Sequence, residues 1–277
     1  MKQVMRPVLP CVEAVALLAL NNTDTLAHDP IFGIGPHVLY KDGIEAHLGA
    51  HREKAGQKKE TELGLELSYG LTGDWAAGIE LPYIKAEDGA DKARGTGDAR
   101  LFTKYRFWRE DSLGIQETAA VLVNAMLDNG DDKENPPLGS GTTDTLLGFT
   151  YGYESLKWYR WTSIRYRRNG ENGAGLRQGD KLFFDLAVGI RPTPPSYLRP
   201  DTVWLLELNR EQGQRAELNG VEVSNTGGTE WYLSPGIFWT QRNFAVKAGV
   251  QLPIASNLNG SQAESDYRAK LEFEWHL

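Results

Sequence analysis

Five histidines, His28, His37, His47, His51 and His276, have the widest chemical range in this sequence, and four of them fall between positions 28 and 51. Imidazole nitrogen binds borderline-soft divalent ions, so His28 and His37 are candidate ligands for a metal, Cu(II) or another divalent ion. The chelate would be strongest with His28 as the first residue of a processed chain, its amine and ring acting together. The spacing is irregular and no Cys or Met ligand stands beside these residues. Ordinary histidines that bind no metal are therefore the plainer expectation, with no cofactor. Hydrolytic chemistry would need an activated serine, and there is no G-x-S-x-G turn. Ser68, Ser163 and Ser234 could meet His47 or His51 across strands, a pairing that a β-rich protein produces by chance, and the sequence is not expected to encode an enzyme. The run Asp128–Glu134 is rich in oxygen ligands but lacks the spacing of a calcium loop. It reads as a solvated loop that holds divalent ions loosely.

A larger set of chemical groups is the charged residues that alternate with apolar ones. In the last segment, Tyr267, Ala269, Leu271, Phe273, Trp275 and Leu277 occupy one face of a period-two pattern, and Arg268, Lys270, Glu272, Glu274 and His276 the other. Lipid on one side and a watery lumen on the other explain both faces at once. The same parity recurs upstream. Leu63, Leu65, Leu67 and Tyr69 oppose Glu62 and Glu66; Trp75, Ala77, Ile79, Leu81 and Tyr83 oppose Glu80. Leu101, Thr103, Tyr105 and Phe107 oppose Arg100, Lys104 and Arg106, while Leu186 and Val188 oppose Asp185, and Val246 and Val250 oppose Lys247. The inward set expected to govern solute selectivity is Glu62, Glu66, Glu80, Asp98, Arg100, Lys104, Arg106, Asp185, Lys247, Arg268, Lys270 and Glu272, with Glu207 and Glu274 also facing inward. Both signs are present, so the lumen is either a hydrated, weakly selective pore or one bridged by ion pairs; a narrow or plugged channel is favoured over a wide porin.

The elements that position these groups are strands of about ten residues separated by alternately short and long connections. Short ones are expected at Gly70–Gly73, Arg109–Ser112, Glu154–Lys157 and Gln241–Asn243, with the proline-rich Arg191–Asp201 somewhat longer. Long polar ones are expected at Lys54–Lys59, Ala86–Thr96, Leu127–Ser140, Asn169–Gln178, Glu211–Thr226 and Ala255–Ser265. Counting gives about twelve strands, an even number that returns both ends of the barrel to the periplasm. Tyr69, Trp75, Phe107, Trp108, Trp158, Tyr159, Trp231, Trp239 and Phe244 flank turns, where rings sit at headgroup level.

Bulk properties agree. With 277 residues, 40% of them hydrophobic, and mean hydropathy −0.44, no window approaches the roughly 20 apolar residues of a spanning helix. A barrel needs only alternate apolar positions. Lys2 and Arg6, the apolar stretch Val8 to Leu20, and Thr25-Leu26-Ala27 read as an export signal over residues 1–27, carrying away Cys11. Residues 28–43, rich in Gly and Pro, are expected to be irregular and to lie at the periplasmic mouth or within the lumen; residues 44–277 form the barrel. A formal charge of −7 without a basic patch excludes nucleic acid as a partner.

Two stretches add a resemblance. Gly95-Thr96-Gly97-Asp98-Ala99-Arg100-Leu101-Phe102-Thr103-Lys104-Tyr105 is similar to the "GxGD…KY" strand of a large family of Gram-negative outer-membrane transporters, the phenol-degradation MetA-pathway proteins. Leu233-Ser234-Pro235-Gly236-Ile237-Phe238-Trp239, followed by Asn243-Phe244 and Gly249-Val250-Gln251-Leu252-Pro253, resembles that family's closing hairpin. The likeness covers most of the chain in layout and these two stretches in residues. Leu277 stands where such barrels usually end in Phe. The resemblance implies an outer-membrane channel or transporter for small solutes, aromatic or hydrophobic ones included, with no catalytic residues to carry over. The expected fold is all-β, a transmembrane antiparallel up-and-down β-barrel. Its expected partners are outer-membrane lipid, lipopolysaccharide, a small-molecule solute and the barrel-assembly machinery. The alternative function is a non-conducting barrel that binds a metal or partner through its N-terminal histidines or outer loops.

Overall fold

A computed structural model describes residues 29–194 and 199–276. The expected export signal, Cys11, His28 and Leu277 lie outside the described residues. The strands in chain order are β1 Ile44–Ala55, β2 Lys58–Thr72, β3 Trp75–Asp88, β4 Asp91–Thr96, β5 Arg100–Ser112, β6 Ile115–Met126, β7 Asp144–Ser155 and β8 Trp158–Arg168. They continue with β9 Leu176–Arg177, β10 Lys181–Ile190, β11 Asp201–Gly213, β12 Glu217–Leu218, β13 Val221–Glu222, β14 Gly228–Gln241, β15 Phe244–Leu258 and β16 Tyr267–His276. Twelve long strands pair antiparallel with their neighbours, and β16 pairs with β1 to close the barrel, Glu45 opposite His276 and Lys54 opposite Tyr267. Closure leaves the wall no unpaired edge, which a membrane requires. The short β9, β12 and β13 form a separate small sheet built from the connections between β8 and β10 and between β11 and β14.

Period-two alternation positions the wall. Leu63, Leu65, Leu67, Leu81, Leu101, Leu186 and Val188 are all exposed on the outer surface, where lipid lies, while Asp185, Glu207, Lys247 and Glu274 are buried on the inner one. Strands of 12–15 residues in β1, β2 and β3 exceed the roughly 9–11 that cross a bilayer, so their outer ends project into water. That explains one departure from expectation. Lys54–Lys59 is a tight turn rather than a long loop, because the flanking charged residues continue the ladder and Gly56 takes the positive φ, 58°, of the turn. Ala86–Thr96 is likewise mostly ladder, a β3–β4 hairpin turning at Gly89. Rings line the end with the short turns: Trp75, Phe107, Trp158 and Trp204 are exposed, and Phe244 sits 5.4 Å from Trp275. Tyr159 departs from this girdle. It faces inward, 2% exposed, stacked 5.3 Å from Trp161 beneath Arg191.

Candidate functional site

Pro30 and Pro36 keep the segment before β1 out of both helix and ladder, and it enters the lumen from the end with the short turns. At its foot the Asp42 amide donates to the Gly70 carbonyl at 2.8 Å. At its apex the amides of Ile31 (2.6 Å), Phe32 (3.1 Å) and Gly33 (2.9 Å) converge on the Glu207 carboxylate of β11. Three successive N–H groups make a cradle for an anion. The Thr150 hydroxyl of β7 donates to the Ile34 carbonyl at 2.7 Å, Lys104 donates to Gly35 O at 3.0 Å, and Lys270 to Ile31 O at 3.0 Å. Ile31, 1% exposed, joins an apolar core with Tyr159, Trp161, Ala187, Val203, Leu205, Phe238 and Ala245. Glycines form its socket: a Cβ at Gly236 would overlap the Ile31 side chain, and one at Gly249 would lie 3.1 Å from it. The segment therefore fills the half of the lumen bounded by β7 to β15.

The opposite half, along β1, β2, β3, β5 and β16, carries ionic groups. Arg100 bridges Glu62 at 2.9 Å and Glu80 at 2.9 Å. Lys104 reaches Asp29 of the segment at 3.3 Å, Lys270 reaches Glu272 at 2.8 Å, and Lys247 reaches Glu274 at 2.9 Å. Glu66 accepts from the Ser68 hydroxyl. Higher on the wall Arg268 clamps Glu211, and Asp185 accepts from Ser163, Arg165 and Asn209. Glu62, Glu66, Glu80, Arg100, Lys104, Asp185, Lys247, Arg268, Lys270 and Glu272 thus all face the lumen, each in a specific pairing.

Two other expected lumen residues lie elsewhere. Asp98 sits in the break between β4 and β5, where its carboxylate accepts from the amides of Gly130 (2.9 Å) and Ser140 (2.6 Å) and from the Ser140 hydroxyl. It anchors the long loop between β6 and β7 to the wall, helped by Asp131, which accepts from Thr96 N at 2.7 Å. Arg106 lies at the short-turn rim, bound to Asp74 and the Gly73 carbonyl. His37 pairs with Glu154 of β7 at 2.5 Å, at the foot of the segment. Burial pulls the His37 pKa down, but the Glu154 carboxylate outweighs it and the net shift is upward. Burial likewise works against the Asp29 carboxylate, yet Lys104 and His37 hold its pKa below the ordinary value. Ser68, Ser163 and Ser234 donate to Glu66, Asp185 and Asn209; among the described residues none is bonded to a histidine. Glu45, His47 and Glu274 bring ligand atoms within 4.8 Å of one another, but Lys247 already places a cation on Glu274, which a divalent ion would have to displace. The reach of Glu207 to a backbone 174–176 residues away had no signal beyond an acid on an inward face.

Between the segment and the charged wall run three cavities of about 330, 280 and 110 Å³. The first two share Phe32, Arg100 and Arg165, and the last two share Asp29, Phe102 and Lys104. His47 and Glu66 line all three.

No curated protein matches the sequence. Among solved structures, an outer-membrane channel from Pseudomonas putida F1 is similar at TM-score 0.68 and 14% identity, over 91% of this chain and 100% of that one. The NanC porin is similar at TM-score 0.53 and 11% identity, over 84% of this chain and 100% of that one. At these identities the likeness is one of fold, a barrel of the Gram-negative outer membrane. The profile of the family described as "Putative MetA-pathway of phenol degradation" matches residues 65–257, and the chain, an outer-membrane β-barrel, belongs to that family.

Proposed function

We propose that the protein passes small solutes across the outer membrane through the charged half of its lumen, alongside the N-terminal segment. The observation that carries this reading is the series of three cavities with shared walls, in which His47 and Glu66 line every one. The smallest of the three, about 110 Å³, is lined by Asp29, His37 and Lys104, so ionic groups act on a solute that enters it. Arg100, Lys104 and Glu66 are the side chains in position to set selectivity, by replacing part of an ion's hydration shell. Compounds with an apolar body fit the family resemblance, and no chemical conversion is assigned to the chain. The test is single-channel recording of residues 28–277 in a planar bilayer. Steady, small steps are expected; silence from this protein together with silence from a form lacking residues 29–39 would overturn the reading.

A second reading, a closed barrel that holds a divalent ion or partner, draws on the Glu45–His47–Glu274 cluster and on the number of bonds holding the segment. It predicts silence that ends when residues 29–39 are removed, together with metal uptake abolished by His47→Gln.

A further inference from the structure

One pair of cations on the inner wall makes no direct salt bridge among the described residues, although Asp144 and Glu211 attract them at longer range. Arg167 of β8 and Lys181 of β10 stand directly opposite each other in the ladder and face inward, since Tyr166 and Ile164 between and below them are exposed on the lipid side. Among the described residues neither side chain has a hydrogen-bond or ion-pair partner, and the Arg167 Nε is buried without one. Their flanking neighbours in the same row are Leu146 of β7 and Gly213 of β11, which bring no negative charge. The nearby acids act on the pair at longer range while their printed bonds go to other groups. Glu211 is clamped by Arg268, Asp180 holds Arg177 at 3.0 Å and the Tyr166 hydroxyl at 2.6 Å, Asp144 accepts from Gly170 N at 2.9 Å, and Asp185 holds Arg165 at 2.7 Å. Like charges directly opposite across a ladder, with Cβ atoms roughly 5 Å apart, destabilise the pair unless an anion lies between them.

The next inward row, about 7 Å further along the strands, supplies a different surface. There Arg165 stands opposite Phe183, its guanidinium 5.0 Å from the ring centroid and its Nε buried without a partner. Both line the cavity of about 330 Å³ whose floor is Ile31 and Phe32 of the N-terminal segment. A cationic pair one row from a largely polar cavity that has Phe32 and Phe183 in its wall suits a molecule with a negative head and a compact ring.

We propose that Arg167 and Lys181 form the docking point for the carboxylate of a small organic acid, whose apolar body lies over Phe183 toward Phe32 before the solute moves inward. This rests on the channel reading and names the class of solute. The guanidinium offers a planar fork to the carboxylate and the ammonium a second, mobile donor.

The test is calorimetric titration of the full-length mature barrel in detergent with benzoate, an aromatic monocarboxylate, and with benzyl alcohol and acetate, which lack the charge and the ring respectively. Benzoate is expected to bind more tightly than either. The double variant Arg167→Gln with Lys181→Gln should weaken benzoate by about tenfold or more, the loss of at least one charge-assisted contact, and leave benzyl alcohol unchanged. Arg167→Lys with Lys181→Arg should restore most of the affinity. Heat-modifiable migration of each variant reports that the barrel is folded, and the single variants replace the double if it is not. Equal benzoate affinity in wild type and Gln variant, equal affinity for benzyl alcohol and benzoate, or no benzoate binding to wild type would each overturn the proposal. Conductance recorded on the same preparations separates the two readings. Current without benzoate binding removes only the docking site, and binding without current removes only the channel.

Discussion

Replacing Glu207 by Gln should release the N-terminal segment from the lumen wall. The two side chains have nearly the same shape, so packing around Ile31 is kept and the change is confined to hydrogen bonding. In the native barrel one buried carboxylate, 1% exposed, accepts the amides of Ile31 at 2.6 Å, Phe32 at 3.1 Å and Gly33 at 2.9 Å. Gln keeps one acceptor oxygen and turns an NH2 group toward at least one of these N–H donors. A bond to a charged group contributes roughly 1.5–3 kcal/mol net, so losing one or two of them weakens docking by about 2–4 kcal/mol. The ratio of undocked to docked segment then rises by a factor of about 30 to 1,000. In planar-bilayer recordings this appears as more frequent large-conductance openings, approaching the level of a form lacking residues 29–39. If that deletion opens the channel while Glu207→Gln records like wild type, the three amide bonds do not hold the segment. If neither differs from wild type, the segment does not limit passage and the reasoning fails at its first step.

Other perturbations test the remaining contacts. Arg100→Ala with Lys104→Ala removes two positive groups from a wall that keeps Glu62, Glu66 and Glu80, so selectivity should move toward cations; an unchanged reversal potential under a salt gradient would place both residues outside the route. The raised pKa of His37 means that its ionic link to Glu154 is complete below the ordinary value of 6.5 and is lost as pH rises through the raised value. Openings should therefore become more frequent on the alkaline side, and His37→Gln should abolish that step; a variant retaining the same pH profile would assign it to another group. Lys247→Met deprives Glu274 of a partner at 2.9 Å in a site where both side chains are at least 94% buried. Removing one member of such a pair costs about 3–5 kcal/mol, read as a lower urea midpoint for the barrel in lipid vesicles and restored by Lys247→Arg. An unaltered midpoint would show that the neighbouring groups compensate.

The barrel wall was legible because every wall residue faces either lipid or lumen, and parity alone assigns the side. That is why Leu63 against Glu62, or Val246 against Lys247, could be placed from sequence. Parity fails where the ladder is interrupted. Asp98 follows Gly97 in the break between β4 and β5, where the chain leaves the pleat, and its carboxylate turns to the amides of a loop more than thirty residues on. Tyr159 beside Trp158 shows a related ambiguity, since two adjacent rings at a turn leave open which one faces the headgroups. The N-terminal segment was readable as irregular from Pro30, Gly33, Gly35 and Pro36. Its docking was not, because the contacts that hold it come from strands distant in sequence and leave only an isolated acid, Glu207, and well-spaced glycines as traces. Arg167 and Lys181 were hidden for a different reason: only the register brings them opposite each other.

The seam between β1 and β16 also sets a topological cost. The N-terminal segment precedes every strand in sequence, yet its partners Thr150, Glu154 and Glu207 belong to β7 and β11. At the seam β1 meets a partner separated from it by almost the whole chain, and closing so long a loop is entropically demanding. The segment is tethered to that same strand. Its capture by Glu207 shortens the effective loop by holding β1 against the interior of the sheet, so the contact that narrows the lumen also favours closure of the seam.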